Sequence, residues 1–234
     1  SKNAKRIASE VDKEKMYPPA DAVGLVRRLA FAKFDESIDA AFNLGIDARQ
    51  ADQLVRGTVS LPHGTGKSIR IAVFADGEKI KEAEEAGADI VGGKELADQL
   101  SGGGAIEFDL AIATPDMMPV VGKLGPVLGP RGLMPNPKSG TVTQDVAKTV
   151  AEFKAGKVEY RNDRYGNVHV PIGRVSFEAD QILENLAAVS DEILRAKPAA
   201  AKGRYVKKVA IASTMGPGIK LDPGDIEDLV KSLH

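Results

Sequence analysis

Two hydrophobic patterns divide this chain. From Ile69 to Ala155, short unbroken apolar runs alternate with amphipathic stretches: Ile69 to Ala75, Ala88 to Val91 and Phe108 to Ala113 read as buried strands. Between them, a charged helix opens at Asp76-Gly77-Glu78 and ends at Gly87, and a second covers Lys94 to Leu100 before Gly102-Gly103-Gly104. A further helix starts at Pro115, and Gln144 to Ala155 is amphipathic and closed by Gly156. Buried strands separated by helices predict a mostly parallel sheet covered on both faces.

Outside that block the pattern is that of half-buried strands. Ala20 to Ala32 has the helical period, led by Pro18-Pro19, with Ala22, Val23, Val26, Leu29 and Ala30 on one face. Ile38, Ala40, Phe42, Leu44 and Ile46 alternate with Asp39, Ala41, Asn43 and Gly45, which predicts a strand with one wet face; Gly57 to Leu61 is another strand. Lys157 to Arg161 and Asn167 to Arg174 read as a strand pair turned by residues 162–166. Asp180 to Ala196 is an amphipathic helix, and Tyr205 to Ser213 alternates again. Neither flank has enough elements for a layered domain, so residues 1–66 are expected to join 158–234, with 67–157 inserted through two crossings that act as a hinge.

No apolar run reaches the roughly 18 residues of a membrane span, and without cysteine there is no disulfide or thiolate metal site. A cytoplasmic protein is expected. The net charge of −1 argues against nucleic-acid binding until its distribution is considered. Residues 195–208 hold Arg195, Lys197, Lys202, Arg204, Lys207 and Lys208 and no acid. Pro119 to Gly140 packs five of the chain's 13 prolines and five glycines into 22 residues, with Lys123, Arg131 and Lys138 the only charges between Asp116 and Asp145. That density predicts an irregular, locally stiff basic loop, free of regular helix and open to a polyanion or serving as a rigid connection.

Enzymatic chemistry finds little support. Gly64-Thr65-Gly66-Lys67-Ser68 resembles the end of a phosphate-binding loop, but Leu61 stands where the first glycine belongs, and a strand is expected where the motif needs a helix. His63, His169 and His234 lack ligand spacing, so neither metal nor cofactor is expected. Phe34, in Lys33-Phe34-Asp35-Glu36-Ser37, is more simply a core anchor at a strand entry than an aromatic that touches ribose or base. Thr214-Met215-Gly216 either ends a strand or brings bare backbone close to a polyanion. A hinged small-ligand binder is the remaining alternative to an RNA-binding protein or a nucleotide-dependent enzyme.

Longer strings carry a resemblance. They are A-K-F-D-E at Ala32 to Glu36, L-G-I-D-A-R at Leu44 to Arg49, and D-Q-x-V-R-G-T-V-x-L-P-H-G-T-G at Asp52 to Gly66. A-x-A-T-P-D-M-M follows at Ala111 to Met118, then L-G-P-R-G-L-M-P-N-P-K-x-G-T-V at Leu128 to Val142, A-G-K-V-E-Y-R-N-D at Ala155 to Asp163, A-K-G-R-Y-V-K-K at Ala201 to Lys208 and S-T-M-G-P-G at Ser213 to Gly218. From about Val11 to Pro223 the chain resembles the L1 family of bacterial large-subunit ribosomal proteins. The resemblance implies an α/β protein of two domains: a discontinuous α+β domain, of split β-α-β type with an antiparallel sheet, and an inserted Rossmann-like three-layer α/β domain. It also implies binding to the 23S ribosomal RNA of the mobile stalk, a part in release of exit-site tRNA, and repression of the protein's own operon through its mRNA. It implies a free protein that is monomeric and has neither a membrane nor a small-molecule substrate as partner. Carried onto this chain, the RNA contacts are Lys33, Phe34, Glu36, Ser37, Thr214, Met215 and Gly216, joined by Arg161, Asp163 and His169. Arg164 and Tyr165 stand where the family often has lysine and threonine. Lys123, Arg131 and Lys138 are expected to touch tRNA or to tune the closed interdomain state.

Overall fold

The computed structural model describes residues 2–12 and 14–231, so His234, one of the three histidines weighed above, lies outside the described residues. Two compact units emerge, Ser1–Gly66 with Val158–His234, and Lys67–Lys157. Helices α1 (Lys2–Glu10) and α2 (Pro19–Leu29) precede strands β1 (Ser37–Leu44) and β2 (Arg56–Ser60). The inserted unit runs β3 (Ile71–Phe74), α3 (Glu78–Glu85), β4 (Ile90–Gly92), α4 (Lys94–Ser101), β5 (Leu110–Ala113), the single turns α5 (Met118–Val121) and α6 (Gly125–Leu128), and α7 (Val146–Ala155). The chain returns through β6 (Lys157–Arg161), β7 (Asn167–Arg174), α8 (Ala179–Arg195), β8 (Val206–Ser213), β9 (Ile219–Leu221) and α9 (Pro223–Lys231).

In the first unit β1 lies inside an antiparallel sheet of order β7-β1-β8-β9. Its alternate residues Ile38, Ala40, Phe42 and Leu44 are buried in the same core as Val26 and Leu29 of α2 and Ile182 and Leu186 of α8. The other row, with Asp39 exposed and Ala41 and Asn43 half-buried, leaves the second sheet face largely to solvent, as antiparallel sheets allow. β8 departs from its expected alternation. Opposite Asn43 and Leu44 its register slips from Lys208 to Val206, so Lys207 is an extra residue and both lysines are exposed.

The expected hairpin of Lys157–Arg161 with Asn167–Arg174 does not form. β6 pairs with β2 and β7 with β1, and the two segments meet at an isolated Asn162–Val168 bridge, where the Asp163 N–H donates to the Asn167 carbonyl at 2.7 Å. Asn162 explains the divergence. Its Oδ1 accepts the Val55 N–H at 2.8 Å and its own backbone N–H donates to the Val55 carbonyl at 3.0 Å, which ties the end of β6 to the segment leading into β2. Val168, Val170 and Ile172 of β7 turn instead into the main core.

Asn185 of α8, fully buried, fastens the turn after β2: its Oδ1 accepts the His63 N–H at 3.1 Å, and its Nδ2 donates to the carbonyls of Gly64 and Ile172 at 3.0 and 2.9 Å. Asn185→Leu therefore strands three backbone groups and is expected to lower the unfolding free energy in urea by about 2–4 kcal/mol. A loss below about 0.5 kcal/mol would mean that the turn is held by other contacts.

The inserted unit has the three layers expected of it, around a parallel sheet of order β4-β3-β5. Ile71 and Val73 pack with Ala83 of α3 and Val150 and Phe153 of α7, while Ala72 and Phe74 pack with Leu100 of α4 on the other face. α7 begins at Asp145, whose side chain accepts the Lys148 N–H, and ends at Gly156 with φ of 115°. The proline- and glycine-rich segment is not free of helix. Met117, Val121, Leu124 and Leu128 recur at helical spacing and are all buried, and prolines 119 and 126 sit in the first turns of α5 and α6, where a missing N–H costs nothing. Apolar periodicity outweighed composition there. After Leu128 the chain is irregular up to a single turn at Pro137–Ser139.

Candidate nucleic-acid interface

The corner ahead of β1 is organised by Glu36. α2 ends at Leu29, earlier than expected, because the next free N–H groups are taken by this side chain: Glu36 Oε1 accepts from Phe31 at 2.9 Å and Ala32 at 2.8 Å. Glu36 Oε2 accepts the N–H of Met215 at 2.9 Å, so one carboxylate joins the segment before β1 to the turn after β8. Burial pushes its pKa up, but the N–H groups of Met215, Ala32 and Phe31 outweigh burial and hold it below the ordinary 4.5. Thr214 completes the joint: its N–H donates to the Ser37 carbonyl at 3.0 Å and its Oγ1 accepts the Ser37 N–H at 3.0 Å. A Cβ on Gly216 would run into Ser213 Oγ, so a larger residue there needs the Ser213 side chain to move. Asp35 accepts from the Ser176 N–H at 3.0 Å and its hydroxyl at 2.8 Å, fixing the outer side of the corner.

Upon this joint two apolar side chains stand in solvent, Phe34 at 58 % exposure and Met215 at 55 %, beside an exposed Lys33. Phe34 is thus not the core anchor that its position suggested. Glu36, expected among the contacts, is 1 % exposed and spends both oxygens on its own backbone, so it shapes the surface from beneath.

At the far end of β1 a second exposed cluster forms. The Leu44 N–H donates to the Gly166 carbonyl at 2.8 Å, bringing residues 162–166 against the strand end. Asp163 Oδ1 accepts from the N–H groups of Tyr165 and Asn167, each at 2.8 Å; desolvation opposes its ionisation, but these bonds with Asn167 and Tyr165 lower its pKa below 3.8. Arg164 lies over the Tyr165 ring, 4.8 Å from its centroid, with Tyr165 67 % exposed. Arg161 is exposed beside them. His169, opposite Ala41 on β7, is exposed on the bare sheet face.

Nine of the ten expected contact residues therefore fall at the two ends of one strand, about 24 Å apart at the usual rise of an eight-residue strand, and the tenth, His169, lies between them. Arg164, Tyr165, Lys208 and Lys220 are exposed on the same unit and were not singled out as contacts. Lys208 had a signal in the basic run, of which Arg195 is already paired with Asp191 at 2.9 Å. In the inserted unit, Lys123, Arg131 and Lys138 are all exposed.

Nothing builds a nucleotide site at Gly64 to Ser68. Lys67 Nζ donates to Asp109 Oδ1 at 2.8 Å, and residues 67–70 run without helix into β3. Among the described residues no group of three or more histidines and acids could hold a metal ion, and no helix is long and apolar enough to cross a membrane.

Comparison with known proteins agrees with the strings noted in the sequence. The model of the ribosomal protein L1p/L10e family matches residues 26–217. The large ribosomal subunit protein uL1 of Rubrobacter xylanophilus is 58 % identical over 92 % of this chain and 94 % of its own length. Its counterparts from Thermobifida fusca and Kitasatospora aureofaciens are 52 % and 55 % identical, covering 99 % and 98 % of this chain and 98 % and 96 % of their own lengths. With both the corner strings and the proline- and glycine-rich segment inside the matched range, this chain belongs to the ribosomal protein L1p/L10e family.

Proposed function

We propose that this chain, a structural protein of the large ribosomal subunit rather than an enzyme, binds 23S ribosomal RNA of the mobile stalk directly, through its first unit. The observation that carries this reading is the corner of Phe34 and Met215, two exposed apolar side chains on a backbone joint fastened by a buried carboxylate. Such a surface offers apolar contact to ribose and base edges, while the close-packed Thr214–Gly216 backbone admits a near approach by the sugar–phosphate chain. The second cluster, with Arg161, Asp163 and His169, extends the contact along β1. By the same surface the protein represses its own operon, the mRNA presenting the ribosomal RNA's shape. Lys123, Arg131 and Lys138 on the inserted unit meet exit-site tRNA as it leaves.

A face with few clustered cations makes the affinity depend weakly on salt. Filter binding of a stalk ribosomal RNA fragment should give a slope of log K against log salt of about −2 to −4, with the leader of the operon's own mRNA competing for the same site. Simultaneous binding of both RNAs would refute the shared surface.

A further inference from the structure

The bare face of the β7-β1-β8-β9 sheet carries a recess of about 290 Å³ that the two clusters do not use. Its floor is low because Ala41 and Ala210 stand opposite each other across β1 and β8, with Leu221 closing the β9 side. Around it rise Met16, 55 % exposed, and Lys207, Lys208 and Lys220, and no carboxylate lines it. The three lysines form no ion pair among the described residues. At one wall Asn43 Nδ2 donates to Asn167 Oδ1 at 2.7 Å, leaving Asn43 Oδ1 as an acceptor with no partner among the described residues.

We propose that this recess takes one unpaired nucleotide of the bound RNA, an inference that rests on the RNA-binding reading above. Four observations converge on it. The volume lies at the lower limit of small-molecule sites, about 300 Å³, which suits a single nucleotide and excludes a longer segment. The apolar floor and the flexible thioether of Met16 provide a surface for the base, and Asn43 Oδ1 accepts from an exocyclic amino group. The lysine rim neutralises the flanking phosphates, and no carboxylate lines the recess itself. Finally, the recess lies beside Ala41 to Asn43, along β1 between the two clusters at its ends.

The test compares the full-length protein with Ala210→Met, which fills the recess from its floor, and with Lys208→Ala/Lys220→Ala. Each is bound to the stalk ribosomal RNA fragment and probed base by base with chemical modification. The wild type should protect one unpaired base that Ala210→Met leaves reactive, every other protection persisting and affinity falling about tenfold. The lysine pair should lower the salt slope by about 1–2. Unchanged protection and affinity in Ala210→Met would overturn the proposal, as would a recess that Ala210→Met closes to polyglutamate but not to RNA, which would mark an acidic protein as its occupant. Failure of the wild type to bind the fragment at all would overturn the RNA-binding reading itself, and this inference with it.

Discussion

Glu36→Ala is expected to lower the unfolding free energy by about 3–5 kcal/mol, measured in urea, because it leaves three N–H groups without their acceptor in a place that water barely reaches. The side chain does what secondary structure cannot do at this point. α2 stops, β1 has not begun, and the N–H groups of Phe31 and Ala32 need an acceptor that no helix or ladder supplies. Because the same carboxylate holds Met215, the loss should also disorder the turn after β8 and reduce RNA affinity. Glu36→Gln separates shape from charge. It retains one carbonyl oxygen, but its amide sets a donor against an N–H donor, and a smaller loss of about 1–3 kcal/mol is expected. The pH dependence has a definite sign. Since the folded pKa is depressed below 4.5, the carboxylate's stabilisation is fully present above that value and drains away as pH falls through the lower folded pKa. Wild type should therefore lose stability below about pH 4.5 more steeply than Glu36→Gln, which has no such proton to gain. Parallel acid profiles of the two proteins would refute this role for Glu36.

That joint also marks what could be read in the sequence and what could not. The inserted unit was legible because its signals are local. β3 is four buried residues in a row, and α7 carries its own cap at Asp145 and its own stop at Gly156. The strand alternation of β1 was equally plain, and with it the existence of a bare sheet face. Partners distant in sequence were not legible. Glu36 meets Met215 across 179 positions, and no periodicity announces such a bond. The misplaced hairpin has the same cause: β6 was assigned its sequence neighbour, whereas its partner β2 lies about a hundred residues earlier, held through Asn162 and Val55. Phe34 shows the limit of hydrophobicity as a guide, since a phenylalanine beside a strand entry reads the same whether it points inward or out. A helix was expected from Pro115, but proline and glycine hid its continuation through residues 119–128, although prolines in first turns interrupt nothing. β9 and α9 had no signal beyond a three-residue apolar run and an acidic stretch, yet Ile226 and Val230 of α9 are buried.

Phe34→Ala combined with Met215→Ala should produce the reverse of the Glu36 result, with binding lost and the fold retained. Both side chains already stand more than half in water, so their truncation removes little buried area, and the thermal midpoint should move by no more than a few degrees. RNA affinity should fall about 100-fold, the product of two lost contacts of about 1–2 kcal/mol each with sugar or base. Neither truncation touches the hydrogen bonds that shape the corner, since those run through the backbone of Met215 and the side chains of Glu36 and Thr214. The pair therefore distinguishes a surface that recognises RNA from one that merely covers a joint. Thr214→Ala added to Met215→Ala should weaken binding further but with a measurable stability loss, because Thr214 Oγ1 is the acceptor for the Ser37 N–H. Filter binding at two salt concentrations would make the attribution sharper. A loss caused by missing apolar contact keeps the salt slope of the wild type, whereas a loss of phosphate contacts reduces it by about 0.7–0.9 for each one. Wild-type affinity in the Phe34→Ala/Met215→Ala protein would remove this corner from the RNA interface and leave the cluster at Arg161 to Tyr165 as its centre.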